Sequence, residues 1–233
     1  MIDFFKIKAI SLDLDDTLWP VWPTIARAEE TLAQWLVEKA PQTAPLVAIP
    51  GYQRKIREEM AGLRPDLAND LSALRREAIR VLLERAGENP DLAEPAFEVF
   101  FEARQKVVFF EDALHCLQFL KAKYPLVALS NGNADVHKVG IGAYFVAAFN
   151  PLNLGVSKPD PHMFHAGAKA MGVLPEQVLH IGDDAHLDVL AAQSAGLQAV
   201  WLNREQKTWA HETHTAPYSV NSLKALCEAW PSH

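Results

Sequence analysis

The sequence predicts a fold of the α/β class in which a block of helices interrupts a parallel sheet. Short apolar runs alternate with amphipathic segments from residue 107 to the end of the chain, a pattern typical of a parallel sheet with helices on both faces. Another apolar run, at residues 7–12, precedes the block of helices. We therefore expect a Rossmann-like core of residues 1–19 and 107–233, and an inserted all-helical domain of residues 20–106.

Four helices are predicted in the inserted domain. Apolar residues recur at helical spacing in the first and third of them, whereas residues 41–50 contain three prolines and are expected to form a loop with a short turn. Thr24 is the expected cap of the first helix, and Asn69 or Asp70 caps the third, which ends at Gly87. These helices cover residues 25–39, 52–63, 71–86 and 92–107.

In the core, five more strands are predicted after the inserted domain. Continuous apolar runs such as Leu126-Val127-Ala128-Leu129 are typical of strands that are covered on both faces. The predicted strands cover residues 125–129, 146–149, 178–181, 199–202 and 218–220. The predicted helices cover residues 112–123, 134–142, 161–171 and 185–195, and Ser222 caps a last one.

Composition and charge exclude several classes of function. The 233 residues carry 22 Lys and Arg against 29 Asp and Glu, a net charge of −7, which argues against electrostatic binding of nucleic acid. The apolar runs are far shorter than a membrane span of roughly 20 residues. The N-terminal residues lack a signal-peptide pattern, and Cys116 and Cys227 have no metal-binding spacing. We expect a cytoplasmic protein with free thiols and no membrane partner.

An acidic cluster directly follows the first predicted strand. Asp13, Asp15 and Asp16 lie within four residues, and Thr17 comes next. Such closely spaced carboxylates repel one another and resist burial unless a cation holds them. In parallel sheets the carboxyl end of a strand is where ligands bind. The alternative for an isolated pair of acids is a solvated turn that ends the strand.

Two later loops carry further polar candidates. Ser130 and Asn131 follow a strand, and a hydroxyl next to free backbone amides at a helix start is suited to hold an anion. A capped turn would explain the same residues. Lys158 is expected at the mouth of the sheet because Pro159 keeps it extended and a helix follows, although a lone loop lysine is more often solvated.

A second acidic cluster follows the strand that ends near Ile181. Asp183 and Asp184 are adjacent, and Asp188 lies one helical turn further on. One such cluster is explained by acids that complement a helix dipole. Two clusters on strands that are expected to be neighbours require a cation, and carboxylate oxygens suit Mg²⁺.

Taken in chain order, these candidates resemble the four motifs of the haloacid dehalogenase superfamily, and in particular its phosphatases. The motifs are Asp13-x-Asp15-x-Thr17, Ser130, Lys158, and Gly182-Asp183 with Asp188. The resemblance covers the whole chain, because the inserted helices stand where the helical cap domains of that superfamily stand. It implies a Mg²⁺-dependent hydrolase of small phosphorylated metabolites, with the cap acting as a lid.

The resemblance also implies a role for each motif residue. Asp13 would attack phosphorus to form an aspartyl-phosphate, and Asp15 would act as acid and base. Mg²⁺ would be held by Asp13, Asp183 and the backbone carbonyl of Asp15. Asp188 would steady Lys158 or a metal-bound water, and Asp184 could share that role. The phosphate would be bound by Thr17, Ser130, Asn131 and Lys158.

A narrower resemblance concerns the substrate. Residues 130–134 and 180–184, with Asp188-Val189, are similar to the bacterial flavin mononucleotide phosphatases, a group that also acts on a phosphorylated ribitylaminouracil. This implies a flavin or a riboflavin precursor as one candidate substrate. Trp19, Trp22 and Arg75 are the candidate contacts to it, because aromatic rings can stack on a flat substrate and a cation can bind an anionic one.

Two alternatives remain open from the sequence. A 2-haloacid dehalogenase on the same fold needs neither a metal nor an acid at the second aspartate, so Asp15 and the second acidic cluster argue against it. A phospho-accepting binding module needs no helical insertion and carries its acceptor on a middle strand, whereas Asp13 follows the first strand. Release of phosphate, release of halide, or neither would distinguish the three.

Overall fold

The structure is a computed structural model that describes residues 2–210 and 216–231. The chain forms two compact units. One unit combines the segment that ends at Pro20 with the segment that begins at Val108, and it contains the sheet. The other unit is Val21–Val107 and contains only helices among its regular elements.

The helical unit contains helices α1 to α5. α1 begins at Val21, three residues before the predicted cap Thr24, which is buried inside the helix. Pro23 is compatible with this start because the first turn of a helix has no hydrogen bond for a proline to break. Asp70 caps α4 by accepting from the Ala73 N–H, as predicted. The helices are α1 Val21–Lys39, α2 Ala44–Val47, α3 Tyr52–Leu63, α4 Leu71–Ala86 and α5 Ala93–Arg104.

In the sheet unit, six strands form one parallel sheet. Their order is β3-β2-β1-β4-β5-β6, so β1 lies between β2 and β4 in the middle of the sheet. Every residue of β1 and β4 is buried, which explains their continuous apolar character. The strands are β1 Ala9–Leu12, β2 Leu126–Leu129, β3 Ala147–Phe149, β4 Val178–Gly182, β5 Gln198–Leu202 and β6 Tyr218–Val220. The predicted α/β class and parallel sheet are confirmed.

The remaining helices surround the sheet unit's strands. Two of them differ most from the predictions. The helix expected at residues 134–142 covers only Val136–Val139 and is followed by Gly140, which has a left-handed backbone. The helix expected at residues 185–195 divides in two. Its first half, Ala185–Leu190, is a π-helix in which the carbonyl of Asp184 accepts from residues four and five positions on. The α-helices are α6 Ala113–Lys121, α7 Val136–Val139, α8 Pro151–Leu154, α9 Pro161–Ala170, α10 Ala191–Ser194 and α11 Leu223–Glu228.

The sheet topology positions the candidate residues. Because β2, β1 and β4 are neighbours and parallel, their carboxyl ends lie at one edge of the sheet. Asp13, Ser130 and Asp183 each directly follow one of these three strands. Both cysteines are free, as expected. In the part of the chain that the structure describes, no helix has the length and apolar character needed to cross a bilayer.

Candidate active site

The loop after β1 brings Asp13 to the sheet edge and folds back on itself. The Asp13 N–H donates to the carbonyl of Ile181 at 3.0 Å, which continues the pairing of β1 with β4, and the Asp13 side chain is buried. Asp16 has a left-handed backbone and its N–H donates to the Trp19 carbonyl. The indole Nε1 of Trp19 then donates to Asp15 Oδ1 at 2.7 Å. Asp15 is therefore held by its own turn.

Lys158 lies between two carboxylates at the centre of the site. Its Nζ is 2.6 Å from Asp13 Oδ1 and 2.5 Å from Asp188 Oδ1, and the side chain is buried. Burial alone would lower the pKa of Lys158, but the Asp13 and Asp188 carboxylates raise it above its ordinary value. Asn131 holds the lysine backbone on both sides, since its amide donates to the Lys158 carbonyl and accepts from the Lys158 N–H.

Three carboxylates converge beside this lysine. Oxygens of Asp13, Asp183 and Asp188 all lie within 4.8 Å of one another. Burial raises the pKa of Asp13 well above its usual range, and burial together with repulsion from Asp188 and Asp16 raises the pKa of Asp183 to about 7. The single positive charge of Lys158 does not neutralise the negative charges of three carboxylates. This set of oxygen donors fits a divalent cation such as Mg²⁺, which is commonly held by carboxylates and water.

Asp188 accepts hydrogen bonds on both of its oxygens. Oδ1 accepts from Lys158 and from His180 Nε2, and Oδ2 accepts from the Asp184 N–H at 3.0 Å. Burial would raise the pKa of Asp188, but the adjacent Lys158 ammonium and the His180 ring hold it below its ordinary value. Gly182 makes this position possible, because a Cβ there would lie 2.3 Å from the Asp188 carboxyl carbon.

The other predicted site residues occupy the surrounding loops. The Thr17 hydroxyl donates to Asp183 Oδ1 at 3.2 Å, and Ser130 Oγ accepts from the Gly132 N–H at 3.0 Å. Asp184 is exposed, and its carboxylate caps the π-helix by accepting from the N–H groups of His186 and Leu187. Direct contacts thus join Asp13, Lys158 and Asp188, and separately Thr17 and Asp183, whose carboxylate lies within 4.8 Å of the other two. Asn131 and Asp184 act through the backbone.

The three predicted substrate contacts have different surroundings. Trp19 is buried and donates to Asp15, whereas Trp22 is largely exposed. The Arg75 guanidinium lies 3.6 Å from the centre of the Phe100 ring and 3.5 Å from Glu29 Oε1. Burial and the nearby Arg57 lower the pKa of Arg75 to about 9. Contact of these three side chains with a substrate stays a prediction.

Sequence reasoning missed three residues. His180 is completely buried in β4, and its ring contacts Asp188. Ser11 is the partner of the other ring nitrogen, and the pairing of β1 with β4 places it opposite His180. Their position two residues before Asp13 and Gly182 was the available signal. Arg204 donates to the Thr17 carbonyl and to Asp112, and no sequence pattern indicates this contact.

Comparisons with known proteins identify the family. The model of the haloacid dehalogenase-like hydrolases matches residues 7–196. The chain is 29% identical over 216 residues to the 5-amino-6-(5-phospho-D-ribitylamino)uracil phosphatase YigB of Escherichia coli (strain K12), covering 88% of each chain. It is 30% identical over 224 residues to the phosphoserine phosphatase of Thermus thermophilus, covering 85% of this chain and 89% of the relative.

A solved structure is also similar over nearly the whole chain. It is a protein described as a 2-haloacid dehalogenase from Pseudomonas syringae pv. Tomato DC3000, with a TM-score of 0.87 and 35% identity, covering 95% of this chain and 97% of the other. Together with the family match, these similarities identify the chain as an enzyme of the hydrolase class with phosphatase homologues.

Proposed function

The chain belongs to the haloacid dehalogenase-like hydrolases, and from that premise we propose that it hydrolyses phosphomonoesters with Asp13 as its nucleophile. The observation that carries the proposal is the contact of Asp13 with a buried lysine inside a cluster of carboxylates. A phosphomonoester resists attack because its anionic oxygens repel nucleophiles, so positioning and charge neutralisation supply most of the catalysis. Lys158 supplies a fixed positive charge next to Asp13.

The reaction has two steps. In the first, a carboxylate oxygen of Asp13 attacks phosphorus and the ester oxygen leaves, which gives an aspartyl-phosphate. Asp15 protonates the leaving oxygen, and in the second step it takes a proton from the water that hydrolyses the intermediate. The phosphoryl oxygens are held by Lys158 and by polar groups of the loops after β1 and β2, namely Thr17, Ser130 and Asn131.

Mg²⁺ is the proposed cofactor. Asp13, Asp183 and the backbone carbonyl of Asp15 would hold it, while Asp188 steadies Lys158 and Asp184 supports Asp188 through its N–H. When bound, the ion offsets the negative charge of the nucleophile and of the phosphoryl group. The raised pKa values of Asp13 and Asp183 support a cation here, because unbalanced carboxylates in a buried cluster retain protons.

Removal of the metal tests the cofactor. Phosphate release should stop in chelator and return with Mg²⁺, whereas Ca²⁺ should restore it poorly because Ca²⁺ prefers more ligands at longer distances. The assay needs only inorganic phosphate detection with a generic phosphomonoester. Full activity in excess chelator would remove Mg²⁺ from the proposal.

The finer proposal concerns the substrate, a small phosphorylated metabolite. The relative from Escherichia coli supports a flavin precursor, whereas the Thermus relative is a phosphoserine phosphatase at similar identity. Specificity constants for flavin mononucleotide, 5-amino-6-(5-phosphoribitylamino)uracil, phosphoserine and a simple sugar phosphate decide between them. If the values for flavin mononucleotide and for the ribitylaminouracil phosphate are no better than the value for the sugar phosphate, the flavin proposal is discarded and the phosphatase proposal stands.

Dehalogenation is the second candidate, because the similar solved structure carries that description. A dehalogenase would need no metal and no acid at Asp15, so the carboxylate cluster favours the phosphatase. Chloride release from 2-chloropropionate, measured beside phosphate release, separates the two activities. A protein that releases neither ion, but whose Asp13 accepts phosphate, would be a binding module instead.

Several finer expectations are part of the same proposal. The helical unit is proposed to be a cap domain of residues 20–106, with the core formed by residues 1–19 and 107–233. Trp19, Trp22 and Arg75 are proposed to contact substrate. A cytoplasmic location, without nucleic-acid or membrane partners, completes the proposal. Kinetic comparison of a Trp22→Ala variant on flat and non-aromatic substrates tests the stacking role, because only the flat substrate should lose affinity.

A further inference from the structure

A row of buried polar side chains continues inward from the active site into the sheet. Lys158 contacts Asp188, and Asp188 Oδ1 is 3.2 Å from His180 Nε2. The other ring nitrogen, His180 Nδ1, is 2.9 Å from Ser11 Oγ. All four side chains are almost completely buried, and His180 has no exposed surface. The row thus joins the middle of the sheet to the lysine that contacts Asp13.

The chemistry of the row fixes the direction of its hydrogen bonds. An ionised carboxylate only accepts, so His180 Nε2 must carry the proton that it shares with Asp188. Burial lowers the pKa of His180, which favours a neutral ring with one proton. Nδ1 then has a lone pair, and the Ser11 hydroxyl donates to it. The Asp188 carboxylate therefore selects the ring tautomer, and the Ser11 hydroxyl satisfies the ring nitrogen that lacks a proton.

This row differs from the Ser-His-Asp arrangement of a hydrolase. There the serine hydroxyl is exposed to substrate and bonds Nε2, while the aspartate bonds Nδ1. Here the two ring nitrogens are exchanged, and Ser11 is buried within β1, between two neighbouring strands. Ser11 cannot reach a substrate, so the row acts on Asp188.

We propose that His180 is a positioning residue, which acts through Asp188 to hold the Lys158 ammonium against Asp13, while the Ser11 hydroxyl satisfies the second ring nitrogen. The inference rests on the proposed phosphatase function. A lysine ammonium is a point charge on a flexible stem, so its position depends on the acceptors around it. Asp188 can hold Lys158 in one place only if its own carboxylate is fixed, and His180 and the Asp184 N–H supply that constraint.

A packing role for His180 makes a different prediction. Phe164 lies edge-on to the ring, with centroids 5.1 Å apart, so the histidine also fills space in the core. If volume were its only contribution, a residue of similar size without a donor would replace it. Methionine and glutamine have similar lengths, and only the glutamine amide places a donor near the position of Nε2. The pair His180→Met and His180→Gln therefore separates packing from hydrogen bonding.

The test compares these variants and Ser11→Ala with the wild-type protein in Mg²⁺. We expect His180→Met to lower kcat/KM by about 10–100-fold, the usual effect of removing a residue that orients a ligand, and His180→Gln to recover most of it. Unchanged kcat/KM in a folded His180→Met would overturn the proposal. Equal losses in folded His180→Met and His180→Gln would also overturn it.

A spectroscopic readout decides the question even if both variants fail to fold. Long-range ¹H–¹⁵N spectra report which ring nitrogen of a histidine carries the proton. We expect the Nε2–H tautomer of His180 in the wild-type protein and also in Ser11→Ala, because the Asp188 carboxylate requires a donor in both. An Nδ1–H tautomer in the wild-type protein would overturn the proposal. If the wild-type protein releases no phosphate from any substrate, the proposed function fails, whereas the tautomer measurement still tests the row.

Discussion

The two units of the chain differ in how deeply they bury acidic side chains. Across residues 21–107, all of which the structure describes, no Asp or Glu is buried. Their carboxylates remain at least partly exposed when they pair with a cation, as in Arg85 with Glu59 at 2.6 Å. The sheet unit buries Asp13 and Asp188 almost completely.

This difference identifies the site independently of any motif. Burying a carboxylate is costly unless it is paired, and each pairing at the sheet edge requires a defined partner, as Lys158 is for Asp13. A surface ion pair on a helix contributes little and tolerates change. The buried acids of the sheet unit should therefore respond strongly to substitution, and the exposed acids of the helical unit weakly.

The largest effect is expected from Asp13→Asn. The amide keeps the size of the side chain but is a poor nucleophile, so turnover should fall by at least about 1,000-fold while the fold remains. Phosphate release and circular dichroism measure the two quantities. The matched change in the helical unit, Glu59→Gln, should leave kcat/KM unchanged. Substantial turnover by Asp13→Asn would refute Asp13 as nucleophile.

Gly182→Ala should have the next largest effect. The added Cβ would lie 2.3 Å from the Asp188 carboxyl carbon, so Asp188 must move and Lys158 with it. Displacing a catalytic group by about 1 Å can cost about 100-fold, and we expect a loss of kcat/KM of that order. Activity within threefold of the wild-type protein, roughly a 0.7 kcal/mol effect, would show that the contact between Asp188 and Lys158 is not needed.

A pH-dependent effect is expected from Asp183→Asn. In metal-free protein the folded state keeps the Asp183 proton up to about pH 7, whereas the unfolded chain releases it near the ordinary pKa of 3.8. The carboxyl group therefore destabilises the fold increasingly from about pH 4 to pH 7, and its contribution is constant above that range. In chelator, Asp183→Asn should be more stable than wild type at pH 7, by no more than about 4 kcal/mol, and equal to it at pH 4.

Adding Mg²⁺ provides the control for this prediction. Binding to the folded state should raise the melting temperature of the wild-type protein at pH 7 and change that of Asp183→Asn much less, because the variant lacks one carboxylate ligand. Thermal unfolding at both pH values, with chelator and with Mg²⁺, gives the comparison. A stability difference that does not change between pH 4 and pH 7 in chelator would contradict the raised pKa.

The sequence predicts those parts of the fold and of the candidate site that depend on local patterns of residues, and it does not predict those that depend on contacts between distant segments. The strand ends that carry Asp13, Ser130 and Asp183 follow from apolar runs and parallel topology, and both are visible in the sequence. The contact between Ser11 and His180 depends on the register of β1 against β4, which only the folded sheet fixes. The π-helix after Asp184 was missed for a related reason, because its apolar spacing also fits an ordinary helix.

The ion pair of Arg204 with Asp112 is mostly buried, and it can be compared with the more exposed pair of Arg85 with Glu59. The Arg204 guanidinium contacts both oxygens of Asp112, donates to the Thr17 carbonyl and lies over the Phe110 ring. Arg204→Met should destabilise the protein by about 1.5–3 kcal/mol, because Asp112 and the loop after β1 lose charged hydrogen bonds. Arg85→Met should cost no more than about 1 kcal/mol, since its pair with Glu59 is half exposed. Equal losses in urea unfolding would contradict the comparison.

The smallest expected effect is a gain in stability from Gly62→Ala in α3. Gly62 has ordinary helical backbone, and a Cβ added to it would meet no atom within 4 Å, unlike a Cβ at Gly182. Alanine reduces the conformational freedom of the unfolded chain and has the higher helix propensity, so the variant should be more stable by about 0.5–1 kcal/mol. Urea unfolding measures the gain, and phosphate release should not change. A loss of stability would show that a Cβ at Gly62 is not tolerated, so that a glycine in the helical unit is constrained by its surroundings as Gly182 is by Asp188.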